Sequence, residues 1–315
     1  YAFGRHDAAY FTNNGTALDV SNLPAQITVT DNGWLTVYAK DQAGNETIEQ
    51  IEIKNIDRVK PVIELKASTD PTNRDVEVTV AVDDAESGLA EVKYTFGQQD
   101  LDYFANNGIA LDVSNLPAQI TVTENGWLTV YAKDRAGNEA IEQIELKNVD
   151  RVKPVIELKA STDPTNRDVE VTVAVDDAES GLAEVKYAFG RHDAAYFTNN
   201  GTALDVSNLP AQITVTDNGW LTVYAKDQAG NETIEQIEIK NIDRVKPVIE
   251  LKASTDPTNR DVEVTVAVDD AESGLAEVKY TFGQQDLDYF ANNGIALDVS
   301  NLPAQITVTE NGWLT

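Results

Sequence analysis

The sequence predicts an all-β protein built from antiparallel β-sandwiches joined in tandem, on three observations. The first is a period of 93 residues: Tyr1, Tyr94, Tyr187 and Tyr280 open the same passage, and the 315 residues hold three periods and 36 residues more. The second is short stretches in which apolar and polar residues alternate with period two, as in Val76, Val78, Val80 and Val82 against Glu77, Thr79 and Ala81. The third is turn chemistry at each break between such stretches, with no ten-residue helical periodicity to compete.

Within one repeat, the first strand is expected at about Pro61–Ala67 and the second at Val76–Val82, separated by Asp70-Pro71. The third follows at Leu89–Phe96 after Ser87-Gly88, and the fourth near Ile109–Val113 after Asn107-Gly108. The fifth spans Ala118–Thr123, the sixth Trp127–Lys133 after Asn125-Gly126, and the seventh Ile141–Lys147 after Ala136-Gly137-Asn138. Seven short strands at this spacing predict an immunoglobulin-like sandwich of two antiparallel sheets, without a disulfide because the chain has no cysteine. The expected domains are a partial repeat at 1–56, complete repeats at 57–149 and 150–242, and a partial repeat at 243–315. In this topology the chain enters a domain at one pole and leaves at the other. The join from Lys147 to Val155 is short, lacks glycine and contains Pro154, so the array is expected to form a stiff, elongated rod advancing roughly 40 Å per domain. The incomplete ends are expected of a window cut from a longer periodic molecule.

Two versions of the repeat alternate. Arg58–Lys93 recurs unchanged as Arg151–Lys186 and Arg244–Lys279, but Tyr1–Asp57 and Tyr94–Asp150 differ at twelve positions, seven of them within Ala2–Thr16. The third copy returns to the first version, giving a higher period of 186 residues. The segments DRVKPVIEL, VAVDDAESGLAEVKY and GWLTVYAKDRAGNE together resemble the bacterial Ig-like tandem repeats of large surface proteins, adhesins and extracellular fibres. The resemblance spans the whole unit. It implies an extracellular or bacterial cell-surface location, a structural or adhesive role, neighbouring copies of the same repeat as partners, and calcium at the domain junctions.

Charge and composition narrow the function classes. With 24 Lys and Arg against 53 Asp and Glu, the net charge of −29 offers no footprint for nucleic acid or anionic lipid. No apolar run is long enough to span a membrane as a helix. The two histidines, His6 and His192, occupy one repeat position that is Gln99 and Gln285 in the alternate version, so His-based catalysis would be missing from half the domains. Carboxylate pairs recur in every unit as turns and do not define one unique cleft. An enzyme is not expected.

Calcium is the site hypothesis that the residues themselves carry. The turn after the second strand (Asp83, Asp84, Glu86), the turn after the sixth (Asp134, Asn138) and the entry residue Asp57 are expected at one pole of the same domain, and a hard cation takes six to eight such oxygens. The next repeat supplies Asp150, Asp176, Asp177, Glu179, Asp227 and Asn231 at the equivalent places. The competing expectation is that these carboxylates only cap turns. A second candidate is an aromatic stripe: Trp34, Trp127, Trp220 and Trp313 hold one repeat position, and alternation puts Trp127 and Tyr131, with Tyr224 in the next repeat, on the outer face of the sheet. Such a stripe would suit a glycan, a host protein or a neighbouring chain. The alternative is that Trp127 covers the stem of Lys93 or Glu91 on the adjacent strand. The leading expectation is therefore a structural array forming a stiff extracellular stalk or filament, and the second a multivalent adhesin module.

Overall fold

A computed structural model describes residues 1–315. The chain divides into two compact units, Tyr1–Arg151 and Val152–Thr315. The first unit begins with β1 (Ala2–Phe3), β2 (Gly33–Lys40) and β3 (Glu46–Ile53), then a full repeat: β4 (Val62–Lys66), β5 (Val76–Asp83), β6 (Leu89–Phe96), β7 (Ile109–Leu111), β8 (Ala118–Val122), β9 (Gly126–Asp134) and β10 (Glu139–Leu146). The second unit repeats the set as β11 (Val155–Lys159), β12 (Val169–Asp176), β13 (Leu182–Phe189), β14 (Thr202–Leu204), β15 (Ala211–Val215), β16 (Gly219–Asp227) and β17 (Glu232–Ile239). It closes with β18 (Val248–Ala253), β19 (Val262–Asp269), β20 (Val278–Tyr280), β21 (Ile295–Leu297) and β22 (Ala304–Val308).

Each complete repeat is a sandwich of a three-stranded sheet, ordered β4-β5-β8, and a four-stranded sheet, ordered β10-β9-β6-β7, all pairs antiparallel. The alternation in β5 does what the sequence requires of a half-buried strand. Val76, Val78, Val80 and Val82 are buried while Glu77 is exposed. They meet Val92, Ile120, Val122, Leu128, Val130, Ala132 and Leu146 in one core, and the second repeat builds the same core from Val169 to Ile242.

The fourth strand pairs with the third, Tyr94 opposite Ile109, so it extends the larger sheet. It stops at Leu111, two residues short of the expected end, because the Asp112 side chain accepts the Ser114 N–H at 2.9 Å and starts a 3-10 turn there. The seventh strand starts at Glu139, two residues earlier than expected, because Glu139 pairs with Lys133 across the hairpin.

The loop between β6 and β7 folds back over the outer face of the larger sheet. Phe104, on a 3-10 turn at Asp102–Ala105, stacks on Tyr131 with ring centroids 5.1 Å apart, and both are buried. Thr129 is held under the same loop: its hydroxyl donates to the Gly97 carbonyl at 2.7 Å and accepts from the Gln99 N–H at 3.3 Å. Lys93 donates from its ammonium to the Phe104 carbonyl at 3.3 Å and pairs with Glu91 at 2.6 Å. The two-sheet core is thus supplemented by a small aromatic layer on the far side of β9.

Candidate metal centre

Three acidic residues from separate segments converge at one pole of the first complete repeat. Asp84 follows β5, where Gly88 takes φ of +74° to close the turn into β6. Asp84 Oδ1 accepts the N–H groups of Ser87 at 2.9 Å and Gly88 at 2.7 Å. Asp134 ends β9; its Oδ1 accepts from Gly137 at 2.6 Å and Asn138 at 2.8 Å, and its Oδ2 from the Asn138 side-chain amide at 2.7 Å. Asp57 lies on the entering segment, with Oδ1 accepting from Val59 at 2.8 Å and Oδ2 from Ser87 at 3.1 Å. Asn138 also donates to the Asp57 carbonyl at 3.3 Å, tying the entry to the β9–β10 turn. One carboxylate oxygen from each of Asp57, Asp84 and Asp134 lies within 4.8 Å of the others.

Turn capping is therefore present, and it does not use every oxygen. Asp84 Oδ2 is buried and has no hydrogen-bond partner, and Asp177 Oδ2 in the next repeat is the same. A buried, unpartnered carboxylate oxygen is costly unless a cation or a water meets it. The three-carboxylate grouping with flanking carbonyls is the donor chemistry of a hard divalent ion. Partial loss of water on the crowded turn raises the Glu86 carboxyl above its ordinary value, and the charges of Asp57 and Asp84 push the same way. Burial would raise Asp134 too, but the N–H groups of Asn138, Gly137 and Ala136 outweigh it and hold that carboxyl low.

The remaining predicted ligands divide in a consistent way. Asp83 and Asp176 are exposed at the ends of their strands because the same alternation that buries Val82 and Val175 turns them outward. They do not join the carboxylate groupings. Glu86 and Glu179 are exposed on the turn. In the second unit, Asp177 accepts from Gly181 at 2.7 Å, and Asp227, 1% exposed, accepts from Gly230 and Asn231. Asn231 donates to Asp227 and to the Val152 carbonyl. Asp150, in the first unit, is buried, with its N–H on the Thr72 carbonyl at 2.9 Å.

The join between repeats in the second unit shows a lock that sequence reasoning missed. The Asp243 N–H donates to the Thr165 carbonyl of one repeat at 2.8 Å, and its carboxylate accepts the Ser273 N–H of the following repeat at 3.0 Å. Its other oxygen accepts from Val245 at 2.8 Å. Thr165 also pairs with Ile242 in an isolated parallel bridge, and Arg244 is ion-paired with Asp168. The first unit has the same latch at its end: Arg151 pairs with Asp75 and donates to the Thr123 carbonyl at 2.7 Å. Asn125 adds a two-point clamp, donating to the Val149 carbonyl at 2.7 Å and accepting its N–H at 2.9 Å. The available signal was the identical Arg-Val-Lys-Pro at every join together with the identical Asn-Arg-Asp of the loop it reaches.

The aromatic stripe is corrected. Tyr131 and Tyr224 are each 4% exposed, since Phe104 and Phe197 of the same chain cover them. Their hydroxyls donate to Glu139 and Glu232. Two-residue alternation assigned the face correctly; a loop that crosses that face lies outside such reasoning. Trp34 and Trp220 are covered by Arg5 and Arg191, whose guanidinium carbons lie 4.5 and 4.4 Å from the ring centroids. At these two positions it is an arginine from the loop that lies over the ring. Trp127 is half-buried and Trp313 exposed.

No helix is long and apolar enough to cross a membrane. No protein-family model and no curated protein matches the sequence. Solved structures do show likeness. A tetra-tandem repeat in the extending region of a large adhesion protein is 18% identical, covering 90% of this chain and 73% of that one, with a TM-score of 0.23. The three N-terminal domains of the highly immunogenic outer capsid protein of bacteriophage RB49 are 11% identical, covering 72% of this chain and 76% of that one, with a TM-score of 0.32. Extracellular cadherin domains 1–5 of protocadherin gamma B2 are 15% identical, covering 91% and 66%, with a TM-score of 0.30. Scores this low carry no argument about activity.

Proposed function

We propose that this chain is a structural repeat array, a segment of an extracellular bacterial stalk or filament in which stiff joints turn copy number into length. The observation that carries this reading is Asp243, whose backbone is bonded into one repeat and whose carboxylate is bonded into the next. A joint held by several such bonds resists bending, and each added copy extends the molecule. Repetition of the whole unit, joint included, is what a spacer gains from and what an enzyme does not need.

We further propose that calcium reinforces the acidic pole through Asp57, Asp84 and Asp134, with Asp84 Oδ2 as the oxygen that most lacks a partner. An ion would neutralise carboxylates that otherwise repel. Small-angle scattering and melting of the full chain, in calcium and in chelator, test both parts. The array reading expects a maximum dimension that grows by a constant step when one 93-residue repeat is added; a compact particle overturns it. The calcium reading expects a higher Tm in calcium, about 2.7 kcal/mol of stabilisation at a hundredfold excess over Kd. An unchanged Tm removes calcium and leaves the array standing. Measurable affinity of the chain for a glycan or host protein would favour the adhesin reading.

A further inference from the structure

Each complete repeat contains two Asn-Gly steps, Asn107-Gly108 before β7 and Asn125-Gly126 before β9, and the second has them as Asn200-Gly201 and Asn218-Gly219. In such a step the glycine nitrogen can attack the asparagine carboxamide, because glycine has no side chain to block the approach. The fold treats the two steps differently. Asn125 is held at both ends of its carboxamide by the Val149 backbone, at 2.7 and 2.9 Å, and Asn218 by Ile242, at 2.8 and 2.9 Å. Asn107 and Asn200 are exposed, and each makes one hydrogen bond, from its amide nitrogen to the Tyr103 or Tyr196 carbonyl at 2.9 Å. Their carboxamide oxygens accept no hydrogen bond.

The glycine of the exposed step cannot be exchanged. Gly108 has φ of +96°, and a Cβ there would lie 2.9 Å from the Phe104 ring and 3.2 Å from Lys93 Cβ. Gly201 meets Phe197 at 2.8 Å in the same way. The aromatic layer over Tyr131 therefore depends on an Asn-Gly step held by one side-chain hydrogen bond instead of two.

We propose that Asn107 and Asn200, with Asn14 and Asn293 at the same repeat position, are sites of spontaneous deamidation, and that the backbone clamp protects Asn125 and Asn218. The Gly108 nitrogen bonds to Asn107 Cγ, the Cγ–Nδ2 bond breaks, and Nδ2 leaves as ammonia with the proton of the Gly108 amide. Water then opens the cyclic imide at either carbonyl, giving aspartate or isoaspartate. Each event adds one negative charge. The isoaspartate product also lengthens the backbone by one methylene in the loop that holds Phe104 on Tyr131, so an old molecule would carry looser loops while its clamped joints persist.

The test is peptide mapping of the full chain, incubated at neutral to mildly alkaline pH, by mass spectrometry that separates aspartate from isoaspartate. Conversion at Asn107 and Asn200 is expected to exceed that at Asn125 and Asn218 by roughly tenfold or more, the worth of two hydrogen bonds that must first break. In urea the two groups should converge. Equal rates in the folded chain, or a difference of the same size in urea, would overturn the proposal. So would an intact Asn107 in folded protein whose unfolded form converts.

Discussion

Phe104 is the residue whose position most changes the reading of the surface. It is 1% exposed, although it belongs to a loop that the strand pattern leaves unassigned, and it stacks on Tyr131 outside the main core. Phe104→Ala should cost about 3–5 kcal/mol by removing a fully buried ring, measurable by chemical denaturation. It should also expose Tyr131 to quenchers. Gly108→Ala is expected to destabilise as well, because the alanine would need both a positive φ and room that the Phe104 ring fills. If both variants melt like the parent, the loop is not a packed layer.

At the scale of elements, the edges and the joints carry the design. Strands β4, β11 and β18 carry Lys-Glu pairs two residues apart, such as Lys66–Glu64 at 2.7 Å, and the opposite edge strand has Lys147–Glu145 at 2.7 Å. As ion pairs these exposed contacts are worth little. As charges on edge strands they discourage pairing with another chain's sheet. The joint residue Asp243 acts differently: Asp243→Ala keeps the backbone bond to Thr165 but removes the acceptor for the N–H groups of Val245 and Ser273, both on the side of the following repeat, and should cost about 0.5–2 kcal/mol, the usual range for a lost cap. The more specific readout is shape. Scattering from the variant should show a more flexible chain at unchanged secondary structure, and an unaltered profile would mean the remaining joint contacts suffice.

For the whole molecule, a net charge of −29 sets how stability responds to pH and ions. Asp112, Asp205 and Asp298 are held below their ordinary 3.8 by the hydroxyl and N–H of the serine two residues on. Their contribution is complete above that value and is lost as pH falls through their lowered range. Glu86 and Glu272 are raised above 4.5 by partial desolvation on the turn and by neighbouring aspartates, so their deprotonation opposes folding as pH rises through their raised range. Without calcium, Tm should therefore rise as pH falls from 7 through the raised range of Glu86 and Glu272, above 4.5, and fall again as pH drops below 3.8 through the lowered range of Asp112, Asp205 and Asp298. Glu86→Gln should raise the calcium-free Tm at pH 7 and flatten the first part of that profile. A monotonic fall from pH 7 would contradict the sign argued here.

The sequence by itself determined the repeat, the seven strands, the buried face of each and the pole at which the acidic turns meet. These follow from local periods and from turn residues, which act over a few positions at a time. Asp84 and Asp134 could be placed at one pole for that reason, since one follows and the other ends a strand whose direction the hairpins set. Tertiary structure decided what covers what. Phe104 over Tyr131, Arg5 over Trp34, Asn125 on Val149 and Arg244 on Asp168 each join residues 24 to 76 positions apart, or cross from a loop to a face. No alternation encodes such contacts, because they depend on how a loop folds back once the sheets exist. The same reason made Asp83 look like a ligand from its neighbours in sequence, while the pleat of β5 turns it to solvent.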